Sequence, residues 1–181
     1  LLMADVASAA RRISWNIDEL CYGIENAGLS GVWNFGKKVG DTIKGKRKPV
    51  SSNLSADMDI TPEQVLRIAL QTARNQERFS PETIRRLRQA NLVILNPWTD
   101  ELRELFIDLL LVGHDAIPVF ETLDQLDLFV PFLPEWKPAR SRPQRNAYHR
   151  FTVDRHLLET AAEASKLADR VDRPDLLVIG A

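Results

Sequence analysis

The chain has 181 residues, 44% of them hydrophobic and 27% charged, with a formal net charge of −1. That length can bury a real core, and the near-zero charge removes any global electrostatic case for nucleic acid or an anionic membrane as partner. One cysteine excludes an internal disulfide framework and fits a reducing, cytoplasmic setting, and no apolar run reaches the ~20 residues of a membrane span.

The N-terminal stretch LLMADVASAARR lacks a charged head before its apolar part, so it does not read as a signal peptide. It also does not begin with methionine, and we read the chain as an excised piece of a longer protein. Residues 2 to about 27 have helical periodicity: Val6, Ala9, Ala10, Ile13, Ile17, Leu20, Cys21 and Ile24 recur at spacings of three and four. This continuous face is expected to be the buried one, with Cys21 a small buried hydrophobe rather than a nucleophile. From Gly28 to about Ala56 the character changes. Five glycines, the basic run Lys44, Lys46, Arg47 and Lys48, and then Pro49 oppose a long helix. At most a small β-hairpin fits near residues 32–58, and the basic run reads as a solvated loop.

Helical punctuation returns at Thr61. Thr61-Pro62-Glu63-Gln64 offers an N-cap threonine, a proline at the first helical position and a glutamine at the capping-box position. Val65, Leu66, Ala69, Leu70 and Ala73 supply its buried face. Ser80-Pro81-Glu82 starts a second helix the same way, with Ile84 and Leu87 inward and Arg85, Arg86 and Arg88 outward. Asn96-Pro97 breaks the pattern, and Thr99 or Asp100 caps a third helix carrying Leu102, Leu105, Phe106, Leu109 and Leu110. A short helix follows from about Pro118 to Leu126. No stretch sustains strict alternation, so the fold class is mainly α, a helical bundle.

Two places invite a chemical reading. His114-Asp115 has the two residue types that ligate a divalent ion in the HD metal-dependent phosphohydrolases. It lies in the turn 112–116 with no histidine upstream, however, and reads better as a polar turn with a helix cap. The second place follows the proline-rich connector, where Pro131, Pro134, Pro138 and Pro143 set an extended path and Phe129, Phe132, Leu133 and Trp136 can anchor it. Lys137, Arg140, Arg142, Arg145 and Arg150 make this connector locally cationic. They suit an anionic ligand or acidic partner, or salt bridges to the chain's own helices. Thr152 then caps a helix to roughly Asp169, with Asp154 in the first turn where the helix dipole favours it. Its apolar stripe reads as Val153, Leu157, Thr160, Ala161, Ala164 and Ala168, with His156 at the margin. By itself, His156 is either a hydrogen-bonded polar residue or a metal ligand. The apolar run from Arg173 to Ala181 stops abruptly, as if cut inside a domain.

The string His149-Arg150-Phe151-Thr152-Val153-Asp154-Arg155-His156 resembles the element that opens the HD domain of the bacterial PII signal-protein uridylyltransferase/uridylyl-removing enzymes, with Phe151 in place of the usual tyrosine. Residues 79–87 look like the family's helical segment between its catalytic domains, residues 126–136 like the hydrophobic lead-in to the HD domain, and Leu1-Leu2-Met3 like the residues after the nucleotidyltransferase domain. The resemblance implies an interdomain helical region over 1–136, a connector over 137–150 and a truncated start of the HD domain over 151–181. It also implies a parent enzyme of nitrogen regulation that transfers UMP from UTP to PII and removes it by metal-assisted hydrolysis, under glutamine control, in the cytoplasm. His156 becomes a ligand of a divalent metal (Mg or Mn) in the intact enzyme, and His149 a residue beside that site. The chain has no Gly-Ser followed by a closely spaced Asp-x-Asp, and no downstream His-Asp pair, so it is expected to be inactive alone and to bind no cofactor. A stand-alone helical interaction module, a glutamine synthetase adenylyltransferase-like segment and a PII-adenylylating relative are the competing readings.

Overall fold

The computed structural model describes residues 2–26, 49–50, 60–143 and 151–167. Among them are six α-helices: α1 (Leu2–Asn26), α2 (Pro62–Arg74), α3 (Pro81–Leu87), α4 (Asp100–Leu111), α5 (Ile117–Gln125) and α6 (Val153–Ser165). The chain is mainly α, as its periodicity requires. Two-residue strands β1 (Pro49–Val50) and β2 (Arg78–Phe79) pair in parallel. β1 thus pairs with a segment after α2, while the stretch 32–58, where at most a small hairpin was expected, otherwise lies outside the described residues.

The helix starts follow from side-chain chemistry. Thr61 Oγ1 accepts from Gln64 N at 3.2 Å while Gln64 Oε1 accepts from Thr61 N at 3.0 Å, a complete capping box that satisfies two otherwise orphaned amides. Ser80 accepts from the Thr83 amide at 3.0 Å, and Thr99, rather than Asp100, accepts from Leu102 N at 3.1 Å. Pro62 and Pro81 sit where a missing amide costs nothing. The link between α4 and α5 is a 3₁₀ turn, Gly113–Ala116. Neither His114 nor Asp115 caps α5, whose N-cap position, Ala116, has no side-chain hydrogen bond. Asp115 instead accepts from the Gln76 side-chain Nε2 at 2.8 Å.

One core gathers α2 to α6 and the connector. Val65, Leu66, Ala69, Leu70 and Ala73 of α2 are buried, and so are Ile84 and Leu87 of α3. Leu102 and Leu109 of α4 belong to the same buried cluster as Ile117, Val119, Phe120 and Leu123 of α5. The proline-broken stretch after α5 contributes Phe129, Phe132 and Trp136 to an aromatic cluster. Trp136 meets Phe129 edge-on at 4.8 Å, Phe129 meets Phe120 at 5.2 Å, and Trp98 meets Phe106 edge-on at 5.2 Å. Such pairs add to area burial through the ring quadrupoles. Among the described residues no helix is long and apolar enough to cross a membrane.

Two helices turn a different face inward from the one their apolar periodicity names. On α1, Val6, Ile13, Ile17 and Leu20 are 53–64% exposed, and Cys21 is exposed rather than buried. The body instead receives the opposite side, with Arg11, Trp15 and Tyr22, because ion pairs and cation–π contacts hold this helix down. The Arg88 guanidinium lies 5.7 Å from the Trp15 ring and the Arg78 guanidinium 5.3 Å from Tyr22. On α6 the buried residues are Asp154, Leu158 and Ala162, while Leu157 is 46% exposed. The stripe is displaced by one position because a buried carboxylate leads the inward face.

Core and surface should separate cleanly in α4. Leu109→Ala, at a fully buried site, should lower the unfolding free energy by about 2–5 kcal/mol in urea titrations. Ile107→Ala, at a half-exposed site, should cost under about 1 kcal/mol. Equal costs would contradict the packing described.

Candidate functional site around His156

The helix that carries His156 is held by its first turn. Thr152 occupies the N-cap position in an extended conformation, but its hydroxyl makes no capping bond. It hydrogen-bonds the Asp154 side chain instead. Asp154 is fully buried and collects partners from three parts of the chain. Its Oδ2 accepts from the Ser141 amide at 2.7 Å, its Oδ1 from the Arg155 amide at 2.9 Å, and Arg11 of α1 closes an ion pair on it. Burial alone would raise this carboxyl, but hydrogen bonds from Thr152 and the Ser141 amide, the Arg11 charge and the Arg155 amide outweigh it and leave the pKa below its ordinary value. Ser141 holds φ at +53° to present that amide, a left-handed conformation that a non-glycine residue keeps only when its surroundings enforce it.

Further along α6, Arg155 bridges to α5. Its guanidinium pairs with Glu121 at 2.7 Å and with Glu159 at 2.7 Å, and lies 5.4 Å from the Phe151 ring. Glu159 and Glu163 also flank His114, whose Nε2 is 3.3 and 3.2 Å from their carboxylate oxygens. Sequence reading missed this contact because the partners lie about 45 residues apart, with no local signal linking them. Beneath it, α6 passes so close to Gly113 that an added Cβ would sit 2.9 Å from Ser165 Oγ, and φ there is +75°. The positive φ favours glycine at that crossing.

These contacts fix where His156 faces. It lies two residues from both Asp154 and Leu158, about 200° round the helix from each at 100° per residue. His156 is exposed, with Leu157 and Phe151 beside it also exposed. Its backbone is locked: His156 N donates to Thr152 O at 2.9 Å and its carbonyl accepts from Thr160 Oγ1 at 2.8 Å. His149, expected beside it, lies outside the described residues, as do Arg145, Arg150 and the apolar run 173–181.

A hydrolytic metal centre needs several protein donors. Among the described residues no group of three His, Cys, Asp or Glu side chains is arranged to hold one. The cluster of His114, Glu159 and Glu163 is not an exception, because Arg155 already pairs with Glu159 and Lys166 with Glu163 at 2.8 Å. The described residues therefore do not fit a metal ion by themselves.

The cationic connector divides as well. Arg140 is spent internally, its Nε 3.0 Å from Asp124 Oδ1 and its Nη1 2.5 Å from Asp127 Oδ1. Buried Asp124 also accepts from Trp136 Nε1 at 3.0 Å. Burial raises the Asp124 carboxyl, with the Arg140 charge and the Trp136 hydrogen bond acting against it. Lys137 and Arg142 remain exposed. A cleft of about 230 Å³ runs between α1 and the body, lined by Trp15, Glu19, Arg78, Phe79, Val119 and Glu121 among others. Burial raises the Glu19 carboxyl there, opposed by Arg78.

Comparison with known proteins agrees with the resemblance carried by the His149–His156 string. The chain is 42% identical over 120 residues to the bifunctional uridylyltransferase/uridylyl-removing enzyme of Streptomyces coelicolor, covering 66% of this chain and 14% of that protein. It is 38% identical over 126 residues to the enzyme of the same name from Mycobacterium tuberculosis, covering 70% of this chain and 16% of that protein. A Ruegeria pomeroyi enzyme of the same name is 29% identical over 106 residues, 57% of this chain and 12% of its own. The chain thus spans about one-seventh of the length of the curated relatives it matches. No protein-family model and no solved structure matches it.

Two substitutions test the mounting of α6. Asp154→Ala strands Arg11 and the Ser141 amide, and should cost about 3 kcal/mol at pH 7. A carboxylate with a depressed folded pKa stabilises above its unfolded value and loses that contribution as pH falls through the folded one. The gap between wild type and Asp154→Ala in urea unfolding should therefore narrow below about pH 4; a constant gap from pH 7 to pH 3 would contradict the ionised, bonded Asp154. Gly113→Ala forces a side chain into a left-handed conformation and should cost roughly 1–2 kcal/mol, read as a lowered Tm.

Proposed function

We propose that this chain is a segment of a bifunctional uridylyltransferase/uridylyl-removing enzyme that modifies and restores the PII signal protein in the cytoplasm. The segment would comprise the interdomain helices (1–136), the connector (137–150) and the beginning of the HD domain (151–181). The observation that carries the reading is the 42% identity over 120 residues to an enzyme of that name. The geometry of α6 supports it: Asp154, Leu158 and Ala162 face inward, and His156 lies on the exposed side of the helix.

On this reading the chain's own residues mount and aim, and they do not catalyse. Asp154, Arg155, Leu158 and Ala162 fix α6 against α5 and the connector, so the imidazole of His156 projects from a rigid helix rather than a loop. In the intact enzyme His156 would be one ligand of a divalent ion, Mg or Mn, whose other donors lie elsewhere in the protein. Such an ion activates water for hydrolysis. UTP, PII and glutamine would be the nucleotide, protein substrate and signal of the parent enzyme, with transfer carried out by a separate nucleotidyltransferase domain.

The test uses the full-length enzyme. His156→Ala should slow removal of the uridylyl group from PII by at least about 100-fold while transfer from UTP stays within about threefold, because a ligand lost from one site leaves the other intact. Equal loss of both activities would point to misfolding, and unchanged removal would sink the metal-ligand role. Running the transfer assay with ATP beside UTP decides between uridylylation and adenylylation.

A further inference from the structure

α1 carries an apolar seam on the side it turns away from the body. Met3, Val6, Ala10, Ile13, Ile17 and Leu20 follow spacings of 3, 4, 3, 4 and 3 residues, the 3.5-residue repeat with which one helix packs knobs-into-holes against another. The five large side chains are 53–69% exposed. No charge borders the seam: Ala7, Ser14 and Cys21 line one flank and Ala9 and Asn16 the other. The charged Arg11 and the rings of Trp15 and Tyr22 face the body. Small, neutral flanks let a second helix approach closely without repelling it.

The size of the seam selects the occupant. Its large side chains expose on the order of 500 Å² of apolar surface, at the upper end for the largest patch on a monomer. Covering it with a matching face would remove roughly 1,000 Å² in all, inside the ~600–1,500 Å² typical between domains of one chain. That is short of the ~1,600 Å² of a standard interface between separate chains. A tethered partner does not need the larger area, because its effective concentration is high. An anionic lipid surface is disfavoured, since Arg11 and Arg12 are balanced by Asp5, Asp18 and Glu19 and no basic border exists. The matched 120 residues make up 14% of the Streptomyces coelicolor relative, which leaves ample polypeptide to supply the partner helix.

We infer that the α1 seam is an interdomain docking surface, covered in the intact enzyme by an apolar helix from outside this segment; the inference rests on the function proposed above. Cys21, exposed on the flank of the seam, reports on it. The thiol's rate of modification by a disulfide reagent, followed by mass spectrometry of the Cys21 peptide, is compared between the isolated chain and the full-length enzyme. The inference expects fast reaction in the isolated chain and a slowing of at least tenfold in the full-length enzyme. Ile13→Asp together with Ile17→Asp in the full-length enzyme should restore the fast rate with unchanged helix content. Equal rates in the two wild-type proteins would overturn it. So would protection in the isolated chain that grows with its concentration, which would mark a second copy as the occupant, or protection that appears only with added anionic vesicles. Assaying uridylyl transfer on the same full-length preparation separates the two claims: activity with an unprotected Cys21 sinks the docking alone, whereas protection without activity sinks the functional reading and leaves the docked seam standing.

Discussion

A buried carboxylate holds the described parts of this chain in register. Asp154 has no exposed surface, and a lone charge in that position would be costly. It is tolerable because the Ser141 and Arg155 amides, the Thr152 hydroxyl and the Arg11 guanidinium all converge on it. Those partners belong to the connector, to α6 and to α1. One side chain therefore sets the start of α6, the path of the connector and the seat of α1 together. An apolar residue of similar size could fill the space, but it could not pull Ser141 into its left-handed conformation or orient Arg11.

The same logic recurs one layer away. Asp124 takes the Trp136 indole N–H and the Arg140 guanidinium, which binds the connector to the end of α5. A strip whose sequence suited either an anionic partner or salt bridges to the chain's own helices is thus partly a set of internal braces, with Arg140 answering Asp124 and Asp127. Between them the two carboxylates fasten the connector at Trp136, Arg140 and Ser141, the stretch that leads toward His156.

What was legible in the sequence follows the range of the physics involved. Caps at Thr61, Ser80 and Thr99 act within three residues, so their chemistry is visible locally and their helices begin where expected. Phe129, Phe132 and Trp136 were identifiable as anchors because aromatics in a proline-broken stretch have little else to do. The α1 face was read the wrong way round, since periodicity finds an apolar stripe but not what covers it; the contacts that seat the helix reach from Arg11 to Asp154 and from Trp15 to Arg88. On α6, adjacent Leu157 and Leu158 gave two competing stripes, and Asp154, read as a residue placed for the helix dipole, was the one that chose between them. His114 had an audible polar character but no local hint of Glu159 and Glu163.

These misreadings bear on the proposed function, in which this segment packs against the rest of a longer enzyme. A helix that buries its polar face and exposes its apolar one has satisfied its charges locally and left its hydrophobic surface for something else. The outward side of α6 carries His156, flanked by exposed Leu157 and Phe151, and among the described residues no group of donors is arranged to hold a metal. On the readings proposed above, the α1 face is covered by an apolar helix and the His156 site is completed by further ligands. Both lie on helices joined through the Asp154–Arg11 pair. Any body that covers α1 is therefore mechanically linked, through that pair, to the first turn of the helix carrying His156. On the proposed function, that linkage is a physical route by which the occupancy of one face bears on the alignment of the other.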